Sequence, residues 1–316
     1  MVKYITRRMV GLIPTLMILL FLVVVMVELI PGDVIDLILE EKYAKNDEAR
    51  VLLEQELGLD RPLPLRYITY VGGVFTGDLG HSLWTDQPVT ELIIQRAVPT
   101  IEIGILSIIV GSVIGIGIGI ISAVRQDSFL DYSLRSIAIL GLSVPNFALA
   151  TAYVVFPAIW WGIAPNMRYV SFTEAPMDHI QIILPPAIIL GVSLSATLMR
   201  LMRTTMLNEL RQDYVRTAQS KGLVNRSVVL RHVLKNALIP VITLLGLQIA
   251  FLIGGSVITE SVFAIPGVGR LLLSSIANRD YPVIQGIVVV IGFFVITTNL
   301  LIDLSYAWLD PRIRYS

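Results

Sequence analysis

The chain has 316 residues, 55% hydrophobic and 15% charged, with Lys+Arg and Asp+Glu balanced at 24 each. That is more apolar and less charged than soluble domains are. The absence of Cys excludes disulfides, thiolate metal sites and Cys nucleophiles, while three scattered His, no H-E-x-x-H and no G-x-x-x-x-G-K-[ST] offer neither a metal site nor a nucleotide loop to read.

A helix that crosses a bilayer needs about 20 mostly apolar residues. The first candidate is Val10–Ile30, "VGLIPTLMILLFLVVVMVELI", after the basic "KYITRR". A signal peptide has a shorter apolar core and a small-residue cleavage site, so this run is expected to stay as an anchor. Pro31–Val98 follows as an acidic outer segment. Within it, "DEARVLLEQELGLD" places Val51, Leu52, Leu53 and Leu57 at helical spacing before Gly58. "RPLPLRYITYVGGVF" fits a helix or turn at the membrane interface, and "GDLGHSLWTDQPV" reads as a turn-rich return to the membrane.

Five more spans are expected at Ile101–Val124, Ile137–Trp160, Ile182–Met199, Leu238–Ile258 and Val283–Trp308. With the N-terminus inside, the cytoplasmic segments hold Lys3, Arg7, Arg8, Arg125, Arg135, the Arg200–Lys235 cluster, Arg312 and Arg314. The fold expected is therefore an all-α membrane protein with six transmembrane helices, both termini cytoplasmic, and a large outer segment after the first helix. Residues 1–98 form the N-terminal helix with the extracytoplasmic segment, and 99–316 a five-helix core with a cytoplasmic region at about 200–235.

Gly111, Gly115, Gly117 and Gly119 in "GSVIGIGIGIISAV" have neither the preceding strand nor the following acid of a dinucleotide site. Small residues four apart on a membrane helix instead predict close helix packing. Intramembrane acids are candidate functional groups. Glu28 and Glu102 lie near the outer ends of the first two spans; they either reach the headgroup region or line an outer mouth that favours a cationic or amine-bearing solute. Asp303, with Asn299 a turn before it, reads as a structural partner for an Arg or a neighbouring helix. Pro145, Pro157, Pro185, Pro186 and Pro240 fall inside spans and predict kinks.

From Arg200 to Lys235 the chain has eight Lys or Arg against Glu209 and Asp213. "NELRQDYVRTAQSKG" reads as a helix, with Asp213 early, Lys221 late and Gly222 just past its end. A second helix is expected from an Asn225 N-cap through "RSVVLRHVLKNALIP" into the fifth span. A loop that only attracts anionic lipid needs no such helix–Gly–helix layout and no small Thr217 and Ala218 at the corner. That favours a docking surface for another protein over lipid contact.

"DYVRTAQSKGL" and "RHVLKNALIPV" are similar to the cytoplasmic signature of the permease subunits of ATP-binding-cassette importers, in the branch that takes up dipeptides, oligopeptides and nickel. "LIPGDVID", "LGLDRPLPLRY", "GDLGHS", "LSVPNF", "TESVFAIPGVGRLLLSSIANRDYPVIQG" and "DPRIRY" resemble the same family along the whole chain. The chain departs from the pattern at Val34, where proline is usual, and at Arg216, where the signature has glutamate; the interval from Gly222 to Pro240 is that of the peptide branch.

The resemblance implies a type I importer permease fold in the prokaryotic cytoplasmic (inner) membrane. It implies an ATPase-docking contact at Arg216, Thr217, Ala218, Lys221 and Gly222, and an outer gate near Pro266, Gly267 and Gly269. A second, usually non-identical permease chain, two cytoplasmic ATPase subunits and an extracytoplasmic solute-binding protein would be the partners, with no nucleic acid among them. ATP and Mg would sit on the ATPases, so this chain is expected to be no enzyme and to bind no cofactor or metal. A secondary transporter driven by an ion gradient is the alternative, and Asp303 alone makes a poor ion site for it.

Overall fold

The computed structural model describes residues 2–29, 51, 54, 60–163 and 166–309, and these are helical apart from turns and one isolated bridge between His81 and Pro88. The acidic helix expected around Leu52–Gly58, Arg312 and Arg314 lie outside the described residues. Contacts divide the chain into two compact units, Met1–Arg96 with Leu271–Thr297, and Ala97–Arg270 with Thr298–Ser316.

The first unit is built on α1 (Val2–Leu29) and α2 (Leu63–Thr76). Pro62 precedes α2 and Pro64 lies in its first turn, where no N–H is needed; Gly77 ends it at φ 82°. α2 runs along the middle of α1. Tyr67 donates a hydrogen bond to the Met17 carbonyl at 3.1 Å and packs edge-on against Phe21. Leu20, Val23 and Val289 are buried against Tyr67, Tyr70, Val71 and Val74.

The return turn is held by Asp280: Ser82 Oγ donates to its Oδ2 at 2.5 Å and the Leu83 N–H to its Oδ1 at 3.2 Å. Trp84 Nε1 donates to the Asn278 carbonyl nearby.

In the second unit the long helices are α3 (Val89–Val124), which begins in the first unit, α6 (Pro176–Leu210) and α9 (Leu234–Val262). α6 is central: 61% of its apolar window is buried, against 28% for the window in α3. The glycine stripe of α3 faces it. A Cβ added at Gly115 would sit 2.6 Å from the Ser195 carbonyl oxygen, and one at Gly119 2.7 Å from Met202 Cβ; Gly111 meets Leu194 in the same way, but Gly117 faces open space. Three of the four glycines thus serve close packing. Gly115→Leu is expected to destabilise the chain by about 1–3 kcal/mol through overpacking, while Gly117→Ala is silent; thermal unfolding in detergent compares the two.

The third span is broken. α4 (Phe129–Ser143) and α5 (Asn146–Trp161) meet at 86° across Val144 and Pro145. Proline removes an N–H and bars helical geometry from the residue before it. Val144 accordingly takes the extended φ −92°, ψ 120°. Ser128 caps α4 by accepting from the Asp131 N–H.

Asp131 is fully buried and ties three elements together. Arg203 of α6 donates to both carboxylate oxygens, Nε to Oδ1 at 2.9 Å and Nη2 to Oδ2 at 2.7 Å. Ser122 Oγ of α3 donates to Oδ1 and the Asp127 N–H to Oδ2. The last span is α11 (Tyr281–Leu309). With the broken pair counted once, the described helices supply up to six spans.

Candidate functional site

α6 stops at Leu210, and after Arg211 and Gln212 the short α7 (Asp213–Ser220) turns away from it. Residues 208–210 therefore belong to α6 and not to the short helix after it, whose first turn begins at Asp213. One face of α7 is apolar: Val215 is buried, and Tyr214 and Ala218 pack on the core of the unit. Tyr214 Oη donates to Glu209 Oε2 at 2.7 Å, and Asn236 of α9 approaches both. Burial and the Glu209 charge push the Tyr214 phenol up, so it stays a donor. α7 is thus fastened to the ends of both neighbouring long helices.

Its end is a Schellman motif. The Gly222 N–H reaches the Gln219 carbonyl at 2.9 Å and the Leu223 N–H the Ala218 carbonyl at 3.3 Å. Gly222 has φ +80°, and a Cβ there would meet nothing within 4 Å; the glycine is required by conformation and faces open space. Arg216, Thr217, Lys221 and Gly222 are exposed, but Ala218 packs inward. The Arg216–Asp213 pair is 3.7 Å long and exposed, which gives it little weight.

Sequence reasoning missed the two apolar residues after the glycine, Leu223 at 43% and Val224 at 72% exposure. Their signal was an apolar pair directly behind a C-cap glycine in an otherwise polar stretch. The second helix expected in this segment starts as α8 (Asn225–Val228), but Val224, not Asn225, is its N-cap, and no side chain caps it. It continues through a π turn, Val229–Val233, into α9. The extra residue of a π turn shifts the helical face, so Val228 and Val229 are buried together with Val233, Ala237 and Val241.

At the other end of this unit, α9 closes at Phe263, Ala264 takes φ +54°, and α10 (Val268–Ala277) begins after "IPG". Glu260, fully buried, organises the corner. Its Oε1 accepts from Thr100 Oγ1 of α3 at 2.8 Å and from Ser256 Oγ at 2.9 Å, and its Oε2 accepts from the Arg270 N–H at 3.0 Å. Thr100 Oγ1 in turn accepts from the Val268 N–H at 2.9 Å. Glu260 and Thr100 together satisfy orphan donors of the first turn of α10.

Gly267 and Gly269 are explained by this corner. A Cβ on Gly267 would overlap the Glu260 carboxylate and lie 2.6 Å from Thr100 Oγ1, and one on Gly269 would lie 2.6 Å from Val257 Cα. Pro266 is part of the same turn and half-buried. Thr100→Val should cost about 1–3 kcal/mol by leaving a buried N–H and a carboxylate lone pair unmet, and Thr100→Ser should restore most of it; thermal unfolding of the two variants checks this.

Glu102 does not stand free in an outer mouth. Its Oε2 lies 3.3 Å from His179 Nε2 of α6, with the Glu102 side chain 31% exposed. Asn299 is exposed, and the side chains of Glu28 and Asp303 lie outside the described residues. Thr100, His179 and Glu260 were not singled out from the sequence. A Glu in the last turn of an apolar helix, followed by a glycine-rich corner, was the available signal for Glu260.

The sequence profile described as "Binding-protein-dependent transport system inner membrane component" matches residues 115–315, and the profile of its N-terminal part matches residues 1–104. A Brucella suis chain named as a peptide permease protein is 41% identical over 317 residues, covering 99% of each chain. The glutathione transport system permease protein of Pectobacterium atrosepticum is 39% identical over 319 residues and covers both chains completely. Among solved structures, the inward-facing MetNI methionine ABC transporter aligns at TM-score 0.56 and 17% identity, covering 69% of this chain and 96% of that one. An amino acid ABC transporter aligns at TM-score 0.52 and 15% identity, covering 68% and 92%. At such identities the two structures establish the fold, that of type I importer permeases.

Proposed function

Because the chain belongs to the binding-protein-dependent inner membrane transport components, as a permease subunit of a peptide-type ATP-binding-cassette importer, we propose that it forms half of a translocation path for di- or oligopeptides and docks an ATPase through α7 and the turn at Gly222. Permeases of this kind reside in the cytoplasmic (inner) membrane and work with ATPase and substrate-binding partners. The peptide solute is taken from relatives named for peptides and for glutathione.

The observation that carries the docking reading is the mounting of α7. A lever must be stiff at its base and open at its tip. Glu209, Tyr214, Asn236 and buried Val215 fasten the base, while Arg216, Thr217, Lys221, Leu223 and Val224 are exposed. Displacing α7 would pull on α6 and α9 together. Ala218 acts from behind, setting the height of the contact face.

The assembly proposed has a second, non-identical permease chain, two ATPase subunits and an external solute-binding protein. ATP and Mg belong to the ATPases; this chain supplies no nucleotide site, cofactor or metal and catalyses nothing alone. Residues 1–98 serve as the N-terminal helix and outer segment, and 99–316 as the permease core. Pro266, Gly267 and Gly269 belong to an outer gate corner, with Glu28 and Glu102 as further groups of the outer pathway and Asn299 and Asp303 as structural polar residues.

The decisive measurement is uptake of a labelled peptide into proteoliposomes holding the full chain with its partner permease, ATPases and binding protein. Uptake is expected only with ATP, with the ATPase co-purifying. Peptide uptake driven by an ion gradient with no ATPase present would overturn the reading.

A further inference from the structure

Within the second unit, an apolar cavity of about 110 Å³ lies where α3, α4 and α6 meet. Its walls include Ile114 and Ile118 of α3, Leu134, Ile137 and Gly141 of α4, and Met199 of α6. Ser195 is the one polar side chain in the wall, and its Oγ donates to the Val192 carbonyl of its own helix at 2.7 Å. A buried water needs about two to four polar partners, whereas a dry apolar cavity of about 150 Å³ takes up a benzene-sized hydrocarbon. The cavity opens beside α4: Ile137 is 63% exposed, and a Cβ at Gly141 would meet nothing within 4 Å.

One end of the cavity is basic. Arg203 pairs with Asp131, and Ala196 and Met199 cluster with Ala138, so α4 and α6 run antiparallel in a fixed register. That register sets Arg135 and Arg200 at one level, a turn from the Asp131–Arg203 pair and beside the wall residues Leu134 and Met199. Both arginines are exposed, and among the described residues neither forms a salt bridge. The Arg135 guanidinium lies 5.6 Å from the centre of the Tyr132 ring, which turns it back along α4, away from the apolar end. Side chains laid out in this way keep the stem on hydrocarbon and the charge among polar headgroups.

We propose that one acyl chain of an anionic phospholipid seats in this cavity, its phosphate held between Arg135 and Arg200 in the leaflet on the α7 side. The apolar wall selects hydrocarbon, and α3 and α6 are long and apolar enough to stand in a bilayer. Arg135 and Arg200 supply the charge that a phosphate complements, through forked N–H donors. A helix of a second chain is about 10–12 Å across with its side chains and does not fit a space of this size; an acyl chain does. The lipid completes the packing of α3, α4 and α6 one turn from the Asp131–Arg203 pair. The inference requires only that the chain spans a membrane and is independent of what it transports.

The full chain is purified in mild detergent and given phosphatidylglycerol or phosphatidylcholine. Native mass spectrometry counts the retained lipid, and the melting temperature is followed in parallel. Expected is one phosphatidylglycerol retained per chain, at least about tenfold in preference to phosphatidylcholine, with a rise in melting temperature. Gly141→Leu adds a side chain in the open space at the cavity wall and is expected to lose both the retained lipid and the rise. Arg135→Gln combined with Arg200→Gln leaves the cavity intact and is expected to lose the preference between the two lipids. A wild-type chain that retains no lipid preferentially, or a Gly141→Leu chain that retains it equally well, would overturn the proposal. Should Gly141→Leu fail to fold, the double Arg variant decides, and an unchanged preference for phosphatidylglycerol sinks the site.

Discussion

Replacing Gly222 with Val is expected to cut peptide uptake by at least about tenfold while the chain still inserts. Two effects act at this position. At φ +80° a β-branched residue meets the left-handed penalty, about 1–2 kcal/mol, and 1.4 kcal/mol of lost docking alone is about a tenfold weaker complex. The new side chain also projects into the open space beside Lys221, Leu223 and Val224, where the ATPase is proposed to sit. Gly222→Asn separates the two, because Asn tolerates the left-handed conformation but still adds a side chain. If strain dominates, the Asn variant recovers uptake; if the contact needs a bare backbone, it does not. ATPase co-purification should fall with uptake in the Val variant. A Val variant that assembles and transports normally would remove Gly222 from the docking surface.

Arg203→Met is expected to cost about 3–5 kcal/mol of stability, because it leaves the Asp131 carboxylate buried without its cation. Ser122 and the Asp127 N–H would still donate to it, but neither neutralises the charge. The double variant Asp131→Leu with Arg203→Met should recover most of the loss, since replacing a buried pair by apolar residues of similar volume is often neutral. Thermal unfolding of the detergent-solubilised chain measures both, and the size of the recovery is the informative quantity. A single variant no worse than an exposed Arg-to-Met change would mean that water reaches Asp131. The lesion would also bear on the proposed docking: the pair binds α4 to α6, the helix that leads into α7, so loosening it would soften the base of the proposed lever.

The apolar helices long enough to span a membrane and the helix–Gly–helix segment were legible from residue order alone. Apolar run length, Lys and Arg placement and C-cap glycines are local signals, each set by a span of about a turn to twenty residues. For the same reason Gly111, Gly115 and Gly119 announced a packing face, although the partner helix did not follow from them. Gly222 at the end of α7 was legible for the same cause, since the left-handed turn it makes is dictated by its neighbours in the chain.

What lay between distant segments was not legible. Nothing in "TESVFAIPGVG" says that Glu260 meets Thr100, 160 residues earlier, and nothing near Asp131 says that Arg203 neutralises it. Nor did the order of residues show that Glu102, an acid expected to face an outer mouth, has His179 beside it. Pro145 promised a kink, but the 86° break depends on how the two half-helices pack. Ala218 looked like a contact residue because it is small; only the packing of α7 on α6 and α9 turned it inward. Sequence determined the spans and the joint at Gly222, both of them consequences of the chain's own local chemistry in water and lipid. Tertiary structure decided which buried charges are paired and which small residues face a partner, because the energy of a buried polar group is set by neighbours that the chain brings to it only on folding.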